Sequence, residues 1–158
     1  MPTSTMSTAP AALIDTLNSL LDAERTSLFR FMGEGYPYLN RATVEVRRPL
    51  QEMVRTIDDR VDRLANLIDS LGGVADSSPR GIDREEQYLA FLSLKFLLPK
   101  LLDAKKMLIE RYENAIKALP ANKEGAAEAK SLLTSLLDEH RAQLNTLTEA
   151  ALRVAGKQ

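Results

Sequence analysis

The stretch LQEMVRTIDDRVDRLANLIDSL, residues 50–71, decides the fold. Leu50, Val54, Ile57, Val61, Leu64, Ile68 and Leu71 recur at alternating steps of four and three. That spacing keeps apolar side chains on one stripe of an α-helix, and the residues between them are mostly charged. It predicts a helix within residues 41–71, buried on one face only. Gly72–Gly73 is its stop signal. Pro49, which lacks a backbone N–H, either begins the regular part of this helix or kinks it.

Three further helices follow from the same reading. The first starts at Pro10, a favourable first-turn position, and ends at Gly33–Glu34–Gly35, with the stripe Leu13, Leu17, Leu20, Glu24, Leu28, Phe31. The third covers about 84–119, with Leu94, Leu98, Leu101, Leu108, Tyr112, Ala115 and Leu119 in phase and a local kink expected at Pro99. After the turn Leu119–Pro120–Ala121–Asn122, the fourth covers about 123–155, with Asn122 as N-cap. Its stripe is Leu133, Leu137, His140, Leu144, Leu147, Ala151, Val154. Strand signals and internal repeats are absent. The expectation is an all-α, four-helix bundle in a single domain, residues 10–156, behind a disordered N-terminal segment, residues 1–9.

The connections set the topology. Residues 35–40 form a short aromatic linker, whereas residues 72–83 form one long connection. Extended, the latter reaches about 40 Å, close to the length of a 25-residue helix at ~1.5 Å per residue. A tight αα-hairpin needs far fewer residues. One long crossover, leaving the second and third helices parallel, is therefore expected.

Lys plus Arg number 21 against 22 for Asp plus Glu, a net charge of −1. Balanced charge argues against nucleic acid or an anionic membrane as partner, since both call for a basic face. There are no cysteines, so disulfides, thiolate catalysis and iron–sulfur clusters within one chain are excluded. No Gly-rich phosphate loop, nucleophile elbow or triad is present. The start of the chain has neither a cationic region nor an apolar core of the kind a secretory signal carries, and no stretch is apolar enough to span a membrane. A cytoplasmic protein is expected.

Two residues interrupt the apolar stripes: Glu24 and His140, the only histidine. A carboxylate and an imidazole on core stripes are costly to bury unless paired or ligated. One reading is a buried hydrogen-bonded pair or cluster that sets helix register. The other is a polar pocket or mononuclear metal site using Glu24, His140 and a third carboxylate, with Glu113, Glu110 or Asp59 as candidates. Fe, Mn and Zn are all compatible with one histidine and carboxylates. Tyr112 lies on the third stripe, where its hydroxyl needs a partner such as Glu24 or His140.

Four stretches resemble the ferritin-like superfamily, bacterioferritin among its members. LNSLLDAE, residues 17–24, resembles the first-helix segment carrying a metal-binding glutamate, and LIDSLGG, residues 67–73, the end of the second helix. YENAIKAL, residues 112–119, resembles the third-helix signature, and LLDEHRAQL, residues 136–144, the final ligand helix. The resemblance covers nearly the whole chain and implies a di-iron site built from a Glu on each of two helices and a Glu-x-x-His pair on each of the others. Glu24 and His140 match that pattern. The rest departs: the second helix reads Ile57-Asp-Asp-Arg60, Leu137 stands where a bridging glutamate belongs, and the middle of the third helix reads Leu98-Pro99. With one histidine the di-iron site cannot be assembled, so ferroxidase activity is not expected. Arg60, Asp62 and Arg63 read as a solvated face; the alternative turns Arg60 inward to pair with Glu24 where the family holds metal, keeping the carboxylate ionised.

Residues 88–99, YLAFLSLKFLLP, are apolar nearly all round. A helix apolar on more than one face must be buried on more than one face. Tyr88, Phe91, Leu92 and Phe96, with Tyr36, Pro37 and Tyr38, therefore suggest a homodimer interface. The expectation is a non-catalytic, homodimeric structural or interaction module without a cofactor. The alternatives are a ferritin-like protein with a reduced, one-metal site at Glu24 and His140, and a binder of small molecules in a cavity between helices.

Overall fold

A computed structural model describes residues 11–27, 44–76, 94–120 and 125–156. These residues form four α-helices: α1 (Ala11–Arg25), α2 (Val44–Ser70), α3 (Leu94–Lys117) and α4 (Ala126–Gly156). No strand occurs among the described residues, so the fold is all-α. None of these helices is long and apolar enough to cross a membrane. The expected N-terminal segment, the aromatic linker, Asn122 and the apolar residues Tyr88, Phe91 and Leu92 lie outside the described residues, as does the side chain of Phe96.

Helix contacts run in a ring, α1 to α2, α2 to α4, α4 to α3 and α3 back to α1, with the last contact the sparsest. The core divides into two apolar clusters. One gathers Leu13, Leu17, Leu20 and Leu21 of α1 with Leu64 and Ile68 of α2, Leu71 just past its end, Tyr112 and Ala115 of α3, and Leu133, Leu136 and Leu137 of α4. The other gathers Leu50, Met53 and Ile57 of α2 with Leu97, Leu98 and Leu101 of α3 and Leu147 and Ala150 of α4. The N-terminal halves of α2 and α3 thus share one end, and α4 runs against both. Each fully buried leucine contributes about 2 kcal/mol, so these clusters carry most of the driving force for folding.

The helix ends follow local chemistry. At the end of α2, Gly72 takes φ 85°. The Gly73 N–H reaches the Ile68 carbonyl at 3.0 Å and the Gly72 N–H the Asp69 carbonyl at 3.1 Å, a Schellman cap. The chain then turns along α1. Asn18 donates through Nδ2 to the Val74 carbonyl (3.0 Å) and accepts from the Asp76 N–H (2.8 Å), while Arg25 donates to the Asp76 carbonyl (2.7 Å). At the start of α4, Gly125 has φ 83°, and a Cβ there would stand 2.5 Å from Leu71.

Two boundaries differ from expectation. α1 ends at Arg25, well before Gly33: after the helical bond from the Thr26 N–H to the Asp22 carbonyl (2.9 Å), the Ser27 N–H turns to the Glu24 carbonyl (3.4 Å), the tightened last turn with which helices commonly finish. α4 starts at Ala126, since the left-handed Gly125 cannot continue a helix begun at 123. Neither Pro49 nor Pro99 ends its helix; both lie inside continuous helical spans.

Candidate functional site: a buried polar layer

Between the two apolar clusters lies a polar layer. Glu24 of α1, Arg60 of α2, Lys105 of α3 and His140 of α4 are each at most 1 % exposed. Each sits in phase with its helix's leucines, which is why four polar side chains meet at one height. On α2 the buried positions run Met53, Ile57, Arg60, Leu64; on α3 they run Leu101, Lys105, Leu108, Tyr112.

These groups form a closed circuit of hydrogen bonds. Arg60 donates from Nε to Glu24 Oε1 (3.0 Å) and from Nη1 to Thr56 Oγ1 (2.8 Å). Gln143 donates from Nε2 to the same Thr56 oxygen (2.9 Å), and Thr56 passes its own proton to the Met53 carbonyl (2.7 Å). Lys105 donates from Nζ to Gln143 Oε1 (2.7 Å) and lies 3.0 Å from His140 Nδ1. His140 Nε2 lies 2.6 Å from Glu24 Oε2, which also accepts from the Tyr112 hydroxyl at 2.6 Å. The Tyr112 and His140 rings are 5.1 Å apart, centre to centre. An ionised Glu24 can only accept, so the shared proton sits on His140 Nε2; Nδ1 then accepts from Lys105 and the imidazole is neutral. Outside the circuit, Glu139 lies 3.7 Å from Arg60 Nη1 and accepts from Arg63 at 2.6 Å, connecting the layer to the surface.

The electrostatics follow from these contacts. Burial works against ionisation of Glu24, yet the His140 contact, the Arg60 charge and the Tyr112 hydroxyl outweigh it and lower its pKa to about 2. Burial lowers Lys105 to about 7, helped by repulsion from Arg60 and opposed by Glu24. Burial also lowers His140, with Glu24 opposing and Lys105 and Arg60 assisting. Tyr112 is raised well above its ordinary value by burial and by Glu24. Near neutral pH, Glu24 and Arg60 cancel, and Lys105 sits at the edge of ionisation.

Glu24, His140, Tyr112 and Arg60 are therefore brought together. Arg60 is the departure from its expected solvated face: it points inward, while its neighbour Arg63 takes the outward position. Asp59 is not a buried partner, because its side chain is 62 % exposed and faces Arg63 at 3.4 Å. Glu113 is 41 % exposed and binds Arg141 at 2.8 Å, and Glu110 is exposed, so neither supplies a third ligand. Among the described residues, no three His, Cys, Asp or Glu side chains stand together in a way that could hold a metal ion.

The donor set does not fit a metal. Both oxygens of Glu24 are taken by N–H and O–H donors, both nitrogens of His140 are engaged, and the guanidinium of Arg60 and the amine of Lys105 flank the pair. A dication there would face one or two fixed positive charges across a poorly screened interior. Sequence reasoning missed Lys105, Thr56 and Gln143. Lys105 had a signal: the third stripe skips from Leu101 to Leu108, and the position in phase between them is 105. Thr56 and Gln143 lie off the stripes and are recruited only by their partners. No protein-family model matches the chain, and no curated protein matches its sequence.

Proposed function

We propose that this chain is a ferritin-like four-helix bundle in which Arg60 and Lys105 supply the positive charge that a metal centre supplies in its relatives. It acts through its surfaces as a non-catalytic, homodimeric structural or interaction module of the bacterial cytoplasm, without a resident metal. The observation that carries this reading is the closed circuit: Glu24 already accepts from Arg60, Tyr112 and His140, so the carboxylate is satisfied and charge-balanced without a cofactor. The shared end of α2 and α3, and the course of residues 73–76 along α1, support a crossover between the second and third helices. The apolar residues Tyr88, Phe91, Leu92 and Phe96 support the dimer.

Elemental analysis of protein purified without a tag or chelator tests the metal-free centre. The expected result is no stoichiometric metal and a melting temperature unmoved by Mn, Fe, Co or Zn. About one equivalent of metal, lost in the Glu24→Ala/His140→Ala variant, would overturn the reading and return Glu24 and His140 to the role of ligands. Light scattering tests the dimer, and a monomer at micromolar concentration would refute it.

A further inference from the structure

The polar circuit touches a cavity at one link. Gln143, which bonds both Lys105 and Thr56, is also a wall of a cavity of about 720 Å³ between the N-terminal part of α2 and the C-terminal part of α4. Its other described walls include Pro49, Met53 and Thr146, with Arg48, Arg153 and Glu52 beside them. That volume lies within the range that small-molecule sites occupy, and its mixture of apolar walls with a few convergent polar groups is what such sites carry.

The charges select a ligand class. Glu52, the carboxylate among these walls, is engaged by Arg55 at 3.4 Å. Among the described residues no carboxylate pairs with Arg48 or Arg153, the two guanidiniums that flank the cavity. Behind Gln143, Arg60 is balanced by Glu24 at 3.0 Å and lies 3.7 Å from Glu139, so the amine of Lys105 is the basic group left over there. An anion entering the cavity would meet a positive field at its mouth, from Arg48 and Arg153. Guanidiniums grip carboxylates through paired, charge-assisted hydrogen bonds, whereas Pro49 and the thioether of Met53 offer an apolar surface to a hydrocarbon.

We propose that this cavity is a binding site for a small amphipathic carboxylate, its anionic group held by Arg48 and Arg153, its hydrocarbon lying on Pro49 and Met53. Gln143 forms the polar floor and separates the ligand from the buried layer. This site stands apart from the metal-free reading of the centre and requires no partner subunit.

Titration calorimetry with octanoate as probe tests it, with 1-octanol as the uncharged counterpart. Octanoate is expected to bind, and octanol to bind at least ~10-fold more weakly, since losing one charge-assisted contact corresponds to about a tenfold change in affinity. In an Arg48→Gln/Arg153→Gln variant, octanoate affinity should fall ~10-fold or more, while its circular dichroism and melting temperature match the parent, because both arginines are exposed. Failure of octanoate to bind at millimolar concentration would overturn the proposal. So would equal affinity for octanol, or undiminished binding by a folded double variant. None of these outcomes bears on whether Glu24 and His140 hold metal, so the two readings fail separately.

Discussion

Lys105→Met isolates the electrostatic character of the buried layer. Methionine keeps the length and linear shape of lysine but carries no charge. In the folded protein Lys105 has its pKa lowered from 10.5 to about 7. Between these values the unfolded chain holds a proton that the folded chain has released, so stability rises with pH across the interval. Each unit of pH there adds at most about 1.4 kcal/mol, and because the folded amine is half protonated at pH 7, the interval from pH 7 to 9 adds about 2 kcal/mol. Other groups in the layer leave that window clear. Glu24 is ionised in both states, His140 is neutral in both, and Tyr112 opposes the trend only where tyrosine ionises in the unfolded chain, near pH 10. Urea denaturation at several pH values, followed by circular dichroism, measures the slope. The parent should gain stability from pH 7 to 9, and Lys105→Met should be nearly flat. Absolute stability is a poorer readout, because the substitution also strips donors from Gln143 and His140, at about 1–3 kcal/mol each. A flat parent profile, or an equal slope in the variant, would refute the assignment of Lys105 as a buried amine at the edge of ionisation.

Glu24→Gln removes the counter-charge of Arg60 and should destabilise the protein by about 3–5 kcal/mol in urea titrations, with Arg60→Gln in the same background costing less than it does alone. The same change should flatten the acid limb, because Glu24, lowered from 4.5 to about 2, stabilises the fold above pH 4.5 and loses that contribution as pH falls toward 2. Tyr112→Phe deletes one hydrogen bond to a carboxylate and should cost about 1.5–3 kcal/mol, a loss readable as a lower urea midpoint at unchanged slope. Nitrogen NMR of the single histidine should show a neutral ring protonated at Nε2 at pH 6; an imidazolium there would contradict the network of bonds around His140.

Much of the helical framework was legible because leucine stripes record it directly. The run Leu50 to Leu71 marks α2 and its stop, since burial rewards a side chain every third or fourth residue and Gly72 relieves the cap. The register within the stripe was harder. Val54 and Val61 read as core positions because they are apolar, yet Met53 and Arg60 take the fully buried places and the valines are partly buried beside them. An arginine's charge argues for the surface until a carboxylate on another helix is known to meet it, and that meeting is a tertiary fact. Lys105 was hidden in the same way, though the skip from Leu101 to Leu108 marked its place. The end of α1 was missed because apolar spacing continues through Leu28 and Phe31 in the sequence, whereas the backbone already tightens to an i→i−3 bond at Ser27.

The closed circuit also restricts how this sequence can change over generations. A leucine in either apolar cluster can be exchanged for another aliphatic residue at modest cost, one position at a time. Glu24, Arg60, Lys105 and His140 have no such freedom, because losing any one strands a charge or a polar atom in an interior that cannot hydrate it. Viable routes pass through paired replacements, Glu24 with Arg60 or Lys105 with His140, or through exchange of the whole layer. Homologous chains should therefore fall into discrete sets at these four positions, with few intermediates, while the surrounding leucines drift freely.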